Sequence, residues 1–335
     1  MLLVLLHHCG YGGGNYILAF HMPLFFVISG YLYSINQSVS KRNFSDFSKG
    51  RFVRLIVPYF AFEMVNLILS YAVIPLKHNH IDLAKAIVSI LTCLNTVDYP
   101  GVSLRLWFLP CMFVSNIFFY GINKLIDETG KYQEVLGICV SIILFILSWL
   151  HSMVSFERLP FTLDISIMAT AFICLGYFGA RLIKWMISEK NIIVKLVVMV
   201  SGVAITGICT KLNSIPFYMY IDQYGNYLLA ITGAIAGVIA ALCGLNFLYR
   251  ILYRSTGLKS FFLWLGNNSL AIFPIHLEIL YFAGKALQVI GISNWSIKLG
   301  VVIALLVPTV NYVTMYIPFL LGMNKQYRLV PKEFE

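Results

Sequence analysis

The side chains best able to do chemistry here are histidines set in apolar sequence. "HHCGYGGGN" puts His8 just before a glycine-rich link, and "FHMPLFFVISGYLY" carries His21 soon after it. Neutral imidazole takes a proton from a hydroxyl near neutral pH, which is where histidine titrates. If the glycine-rich link is a turn between two helices, His8 and His21 come from neighbouring helices at matched depth. His21 then lies about five residues into its helix, roughly 7–8 Å at 1.5 Å per residue. The plainer reading of either ring is a hydrogen bond between packed helices. His7 reads as a bystander.

A second set of residues is cationic. "KGRFVRLIVPYFAFE", residues 49–63, gathers Lys49, Arg51 and Arg54 at the mouth of an apolar segment. A guanidinium grips phosphate through two parallel N–H groups. Arg54, with its stem in "RLIVPY", therefore suits a phosphate-bearing ligand. Ordinary anchoring at a membrane edge accounts for Lys49 and Arg51 as well. Glu63 lies deeper, where a carboxyl is costly unless paired or neutral. It reads as a proton acceptor or as a protonated contact between helices. Trp107 in "LRLWFLPCMF" reads as an interfacial belt residue or as part of a cavity wall.

"GNNSLAIFPIHLEIL", residues 266–280, puts His276 well inside a late apolar segment, with Glu278 on a different helical face. Asp164 in "PFTLDIS", and Asp222 and Asn226 in "YIDQYGNYLL", sit where helices begin. Capping explains each of them. Together they also suit the wall of a site for a polyhydroxylated ligand.

These residues must be held by membrane helices. The chain has 335 residues, 59% of them hydrophobic and only 11% charged, where a soluble domain carries about 25% charged. Mean hydropathy is +0.83. Apolar runs near 20 residues long predict an all-α, polytopic membrane bundle. Expected spans lie near 16–35, 54–76, 104–122, 134–151, 161–181, 192–210, 226–248, 261–283 and 298–321. The apolar start before "HHC" reads as the outer half of a further span, giving a ten-span architecture in one membrane domain over residues 1–335. With the N-terminus in the cytoplasm, 17 of the 24 Lys and Arg fall inside and 7 outside, as the positive-inside rule requires. That puts the C-terminus in the cytoplasm too. The net charge of +10 then needs no nucleic acid partner. The longest outside loop, 77–103, is expected to hold an interfacial helix around 81–94. The seven cysteines are scattered with no CxxC pair, so neither a disulfide framework nor a metal site is expected. No Walker-type loop, HExxH, GxSxG or dinucleotide fingerprint occurs.

The segments "HHC", "FHMPLFFVISGYLY", "RFVRLIVPYF", "LWFLP", "PFTLDISIMATAFICLGYFGA", "YGNYLLAITGAIAG" and "LGNNSLAIFPIHLEIL" occur in series. In that order the chain resembles the family-3 membrane acyltransferases, most nearly the fucose 4-O-acetylase-like branch. The resemblance implies transfer of an acyl group, usually acetyl, from acyl-CoA to a sugar hydroxyl of a surface or exported glycan. It implies acetyl-CoA as donor substrate and no permanently bound cofactor. The bilayer and polysaccharide-synthesis proteins would be its partners. His8 matches the family's first-span catalytic histidine. His21, Arg54, Trp107 and His276 match the HMPLFF, RLLIPY, WFL and late-span positions. The resemblance also implies a basic residue about three turns before the first histidine, which here would precede Met1, so either the start lies upstream or this copy is truncated.

In that scheme His8 is the general base. His21 orients it or donates to a developing oxyanion, and Arg54, with Arg51, holds a donor phosphate. A glycan-precursor transporter and an inactive truncated relative are the rival readings.

Overall fold

The computed structural model describes residues 1–36, 39, 41–73, 83–94, 104–154, 158–188 and 191–323. The expected loop and tail cations Lys77, Lys190, Lys325, Arg328 and Lys332 lie outside the described residues. The helices are α1 Leu2–His8, α2 Gly14–Asn36, α3 Phe44–Arg51, α4 Val57–Val73, α5 Leu83–Thr92, α6 Phe108–Asp127 and α7 Gln133–Met153. They continue as α8 Leu163–Phe178, α9 Ala180–Ser188, α10 Ile192–Leu212, α11 Tyr227–Tyr253, α12 Thr256–Asn267, α13 Ser269–Val289 and α14 Trp295–Tyr316. Among the described residues, nine helices are long and apolar enough to cross a membrane. The chain is an all-α, multi-pass membrane bundle, as its composition predicts.

The bundle is built around α8. In the span that contains it, Pro160–Phe178, 72% of the most apolar window is buried, against 22% in α7, α10 and α14. The peripheral helices turn apolar side chains outward, such as Ile142, Ile143 and Ile146 of α7 and Val197, Val200 and Val203 of α10. Exposed apolar surface of that kind suits hydrocarbon, where the helix satisfies its own backbone.

Glycine brings α2 against α8. A Cβ on Gly30 would lie 2.0 Å from the Ile173 carbonyl oxygen, and one on Gly176 would lie 2.0 Å from that of Val27. The two backbones touch directly, the close approach that small residues permit between membrane helices. Ser29, next to Gly30, turns its hydroxyl to the Phe25 carbonyl of its own helix at 2.8 Å. Gly30→Ala is expected to destabilise the protein by about 1–3 kcal/mol, the usual range for overpacking. Thermal unfolding in detergent reads this out, and an unchanged midpoint would show that the contact is soft.

Three local features differ from the expected pattern. Helix α2 begins at Gly14, so Pro23 is an interior residue that deprives the Ala19 carbonyl of its helical donor. The expected span 261–283 is broken at Asn268, between α12 and α13. The Asn268 side chain turns back onto the Trp264 carbonyl at 3.0 Å and closes α12. Hydropathy misses this break because apolar residues flank the Asn pair on both sides. Lastly, residues Phe52–Ile56 form a π turn joining α3 to α4. Pro58 has no N–H for the Arg54 carbonyl, and the wider turn takes up the mismatch. The expected interfacial helix is present as α5, which packs on α4 through the Tyr59 hydroxyl and the Ile90 carbonyl at 3.2 Å.

Candidate active site

Four imidazoles line up toward one end of α2. His7 and His8 end α1, His21 comes from α2, and His276 comes from α13. The rings form a chain. His21 and His7 have centroids 5.8 Å apart, His7 and His8 5.0 Å, and His8 and His276 5.5 Å. The four line a cavity of about 350 Å³ together with Trp107, Tyr218, Tyr220 and Phe273. The glycine-rich link supplies the turn that lets α1 fold back on α2. Gly14 sits in that turn, and its carbonyl faces His7 Nδ1 at 3.2 Å. His7 is therefore part of the cavity and not a bystander.

Backbone carbonyls set the tautomers. His21 Nδ1 lies 2.9 Å from the Ile17 carbonyl and His276 Nδ1 lies 3.1 Å from the Ile272 carbonyl. A carbonyl oxygen can only accept, so Nδ1 carries the proton in each ring and Nε2 of the neutral ring is a proton acceptor. A neutral His21 thus has no donor left for an oxyanion.

Trp107 is buried in the cavity wall, and belt anchoring does not describe it. Other expected residues fall elsewhere. Asp164, Asp222 and Asn226 do not line the cavity. The Asn226 side chain caps α11 by accepting from Leu229 N at 3.1 Å, and its own N–H goes to Asn213 Oδ1 at 2.8 Å. Asp164 is fully buried and pairs with Arg158. The same guanidinium donates to the Tyr220 carbonyl at 2.5 Å.

Asp222 bonds His151 Nδ1 at 2.8 Å from a left-handed turn position. Burial pushes the Asp222 carboxyl above its ordinary range, opposed by the neighbouring Tyr224 hydroxyl and by His151. The acids therefore act behind the wall, pinning the hairpin closed by the Tyr218–Gln223 bridge, which presents Tyr218 and Tyr220 to the cavity. Glu63 is also misplaced by expectation. It is fully buried on α4 near Tyr59 and Cys93, and lines neither this cavity nor the next one. Glu278 likewise stays out of the histidine cavity.

A second cavity, of about 260 Å³, lies toward the other end of α2. Ser29 and Tyr33 line it, eight and twelve residues beyond His21, or about 12 and 18 Å along the helix axis. Arg51 and Arg54 line it as well. The Arg51 guanidinium lies 4.7 Å from the centre of the Tyr33 ring, a cation–π contact. The Tyr33 hydroxyl is held by Asn116 Oδ1 at 2.5 Å. Arg51, Arg54 and Leu55, spaced i, i+3 and i+4, all reach one cavity. The two cavities share the Phe273 ring.

A family model described as an acyltransferase domain, Acyl_transf_3, matches residues 1–317. The chain belongs to this acyltransferase family. The match covers α1 through α14 and so includes every residue of both cavities. No curated protein and no solved structure matches the chain in the corresponding comparisons. As a family member and a multi-pass bundle, it is a membrane acyltransferase. Residues that the sequence did not single out are Phe273, Tyr218, Tyr220, His151 and Arg158, and from sequence alone His7 reads as a bystander. The tyrosines stood in view in "FYMYIDQYGN", but nothing in that run says which face of the hairpin is lined.

Among the described residues, no group of three or more His, Cys, Asp or Glu side chains is arranged to hold a metal ion. The four histidines form a row of rings and do not converge on a common point.

Proposed function

We propose that this acyltransferase moves an acyl group, acetyl in the simplest case, from acyl-CoA to a sugar hydroxyl of a surface or exported glycan, with His8 as general base. The fucose 4-O-acetylase-like branch is the subgroup this reading favours. The observation that carries it is the pairing of two cavities along α2, one lined by imidazoles and one by guanidiniums, meeting at Phe273. In the positive-inside orientation the Arg51 and Arg54 cavity faces the cytoplasm, where acyl-CoA is found, and the C-terminus lies on the same side. The histidine cavity then faces outward, where a glycan is accessible.

The division of labour follows from the chemistry. Two guanidiniums lining one cavity suit the phosphates of CoA. The 12–18 Å from Ser29 and Tyr33 back to His21 is a distance an extended pantetheine arm can bridge. At the far end a sugar hydroxyl, a weak nucleophile, loses its proton to imidazole as it attacks the thioester carbonyl; the C–S bond then breaks, and the CoA thiolate leaves and takes the proton back from the imidazolium. Trp107, Tyr218 and Tyr220 offer flat apolar faces for the ring that carries that hydroxyl.

The experiment is to supply acetyl-labelled acetyl-CoA to membranes with and without this protein, and to follow the label into glycan. Label in glycan only when the protein is present is the expected result. Glycan that is exported without label would favour a transporter and end the acyl-transfer reading.

A further inference from the structure

The two cavities are divided by phenylalanines. Phe273 lines both of them. Its ring centre lies 5.0 Å from that of Phe108, which in turn lies 5.8 Å from Phe25 and 5.3 Å from Phe26. On the other side the Phe273 ring is 5.8 Å from His276. Phe273 and Phe108 are buried. The partition therefore joins three helices, α2, α6 and α13, and one of its rings touches the imidazole row. One residue after Phe273, Pro274 lies inside α13. It leaves the Leu270 carbonyl without a helical donor, which softens the helix beside Phe273.

We infer that Phe273, acting with Phe108, is the specificity-determining gate between the cavities: it passes a short acyl group on its arm and excludes longer acyl groups, water and protons. The inference rests on the acyl-transfer reading for its substrate, but not for its barrier. A cavity lined by imidazoles and one lined by guanidiniums, joined across a bilayer without a wall, would form a leak. Closely packed rings exclude water from such a constriction. An acyl group that reaches the histidines must part those same rings, so their bulk sets how large it can be. In a packed apolar site one methylene changes selectivity by about 10–200-fold.

The test uses the full chain in proteoliposomes, as wild type, Phe273→Ala and Phe273→Val. The first readout is competition between acetyl-CoA and butyryl-CoA for transfer. Phe273→Ala is expected to raise the butyryl share relative to acetyl by about tenfold or more, in keeping with the value of a methylene in such a site. The second readout is collapse of an imposed pH gradient, reported by an entrapped dye. Phe273→Ala is expected to leak protons faster than wild type, with Phe273→Val in between. Phe273→Val keeps a β-branched apolar stub and serves if the alanine variant is not recovered folded. Unchanged leak and unchanged acyl preference in a recovered variant overturn the gate. Variants that leak beside a wild type that transfers no acyl group keep the barrier and reject the acyl-transfer reading instead.

Discussion

Changing His8 to alanine is expected to lower acyl transfer by about 10²–10⁴-fold, the usual contribution of a positioned general base. The protein should still fold, because His8 is only partly buried, at the end of a seven-residue helix. Its place in the row of rings supports this role. His8 stands between His7 and His276, at 5.0 and 5.5 Å, and shares the cavity with Trp107, Tyr218 and Tyr220. His21 is fixed through Nδ1 on the Ile17 carbonyl at 2.9 Å. It meets the row at His7, one ring away from His8, so His21→Ala should cost less than His8→Ala. Rates measured at saturating acyl-CoA on folded protein check both variants. A His8→Ala protein with wild-type turnover removes His8 as base, and a larger loss in His21→Ala moves that role to His21.

Much of the site could be read before the fold was known. His8, His21 and His276 were legible because an imidazole in an apolar run is conspicuous, and the glycine-rich link announced the turn that pairs the first two. Arg54 was legible from the basic cluster at the mouth of its helix. What could not be read was direction around each helix axis. His7 and His8 are adjacent in sequence, and only the packing of α1 on α2 and α13 shows that both meet the cavity. Glu63 looked chemical because it is a carboxyl at depth, yet its face of α4 turns toward Tyr59 and Cys93. Phe273 was invisible among 25 phenylalanines, since its role comes from being shared by two cavities. The break at Asn268 was hidden for a related reason: hydropathy averages over a window and cannot register one residue that leaves helical geometry.

Arg158→Ala is expected to be the most destabilising single change outside the cavities. Asp164 is fully buried in the first turn of α8. Its charge is met by the Arg158 guanidinium, by its own helix through Ile165 N at 2.9 Å and by the positive end of the helix dipole. Removing one partner of a buried pair leaves the other charge uncompensated, at a cost of about 3–5 kcal/mol. The same guanidinium holds the Tyr220 carbonyl, so the hairpin that presents Tyr218 and Tyr220 loses an anchor as well. Arg158→Lys keeps the charge but not the fork that reaches two acceptors, and should fall between wild type and alanine. Adding Asp164→Asn to Arg158→Ala removes the stranded charge and should restore part of the lost stability, a coupling that a double-mutant cycle measures directly. Acyl transfer should not recover with it, because Tyr220 remains unheld. If stability and transfer return together in the double variant, the hairpin does not depend on Arg158. If Arg158→Ala unfolds at the wild-type temperature, the pair contributes nothing to holding α8 against the hairpin.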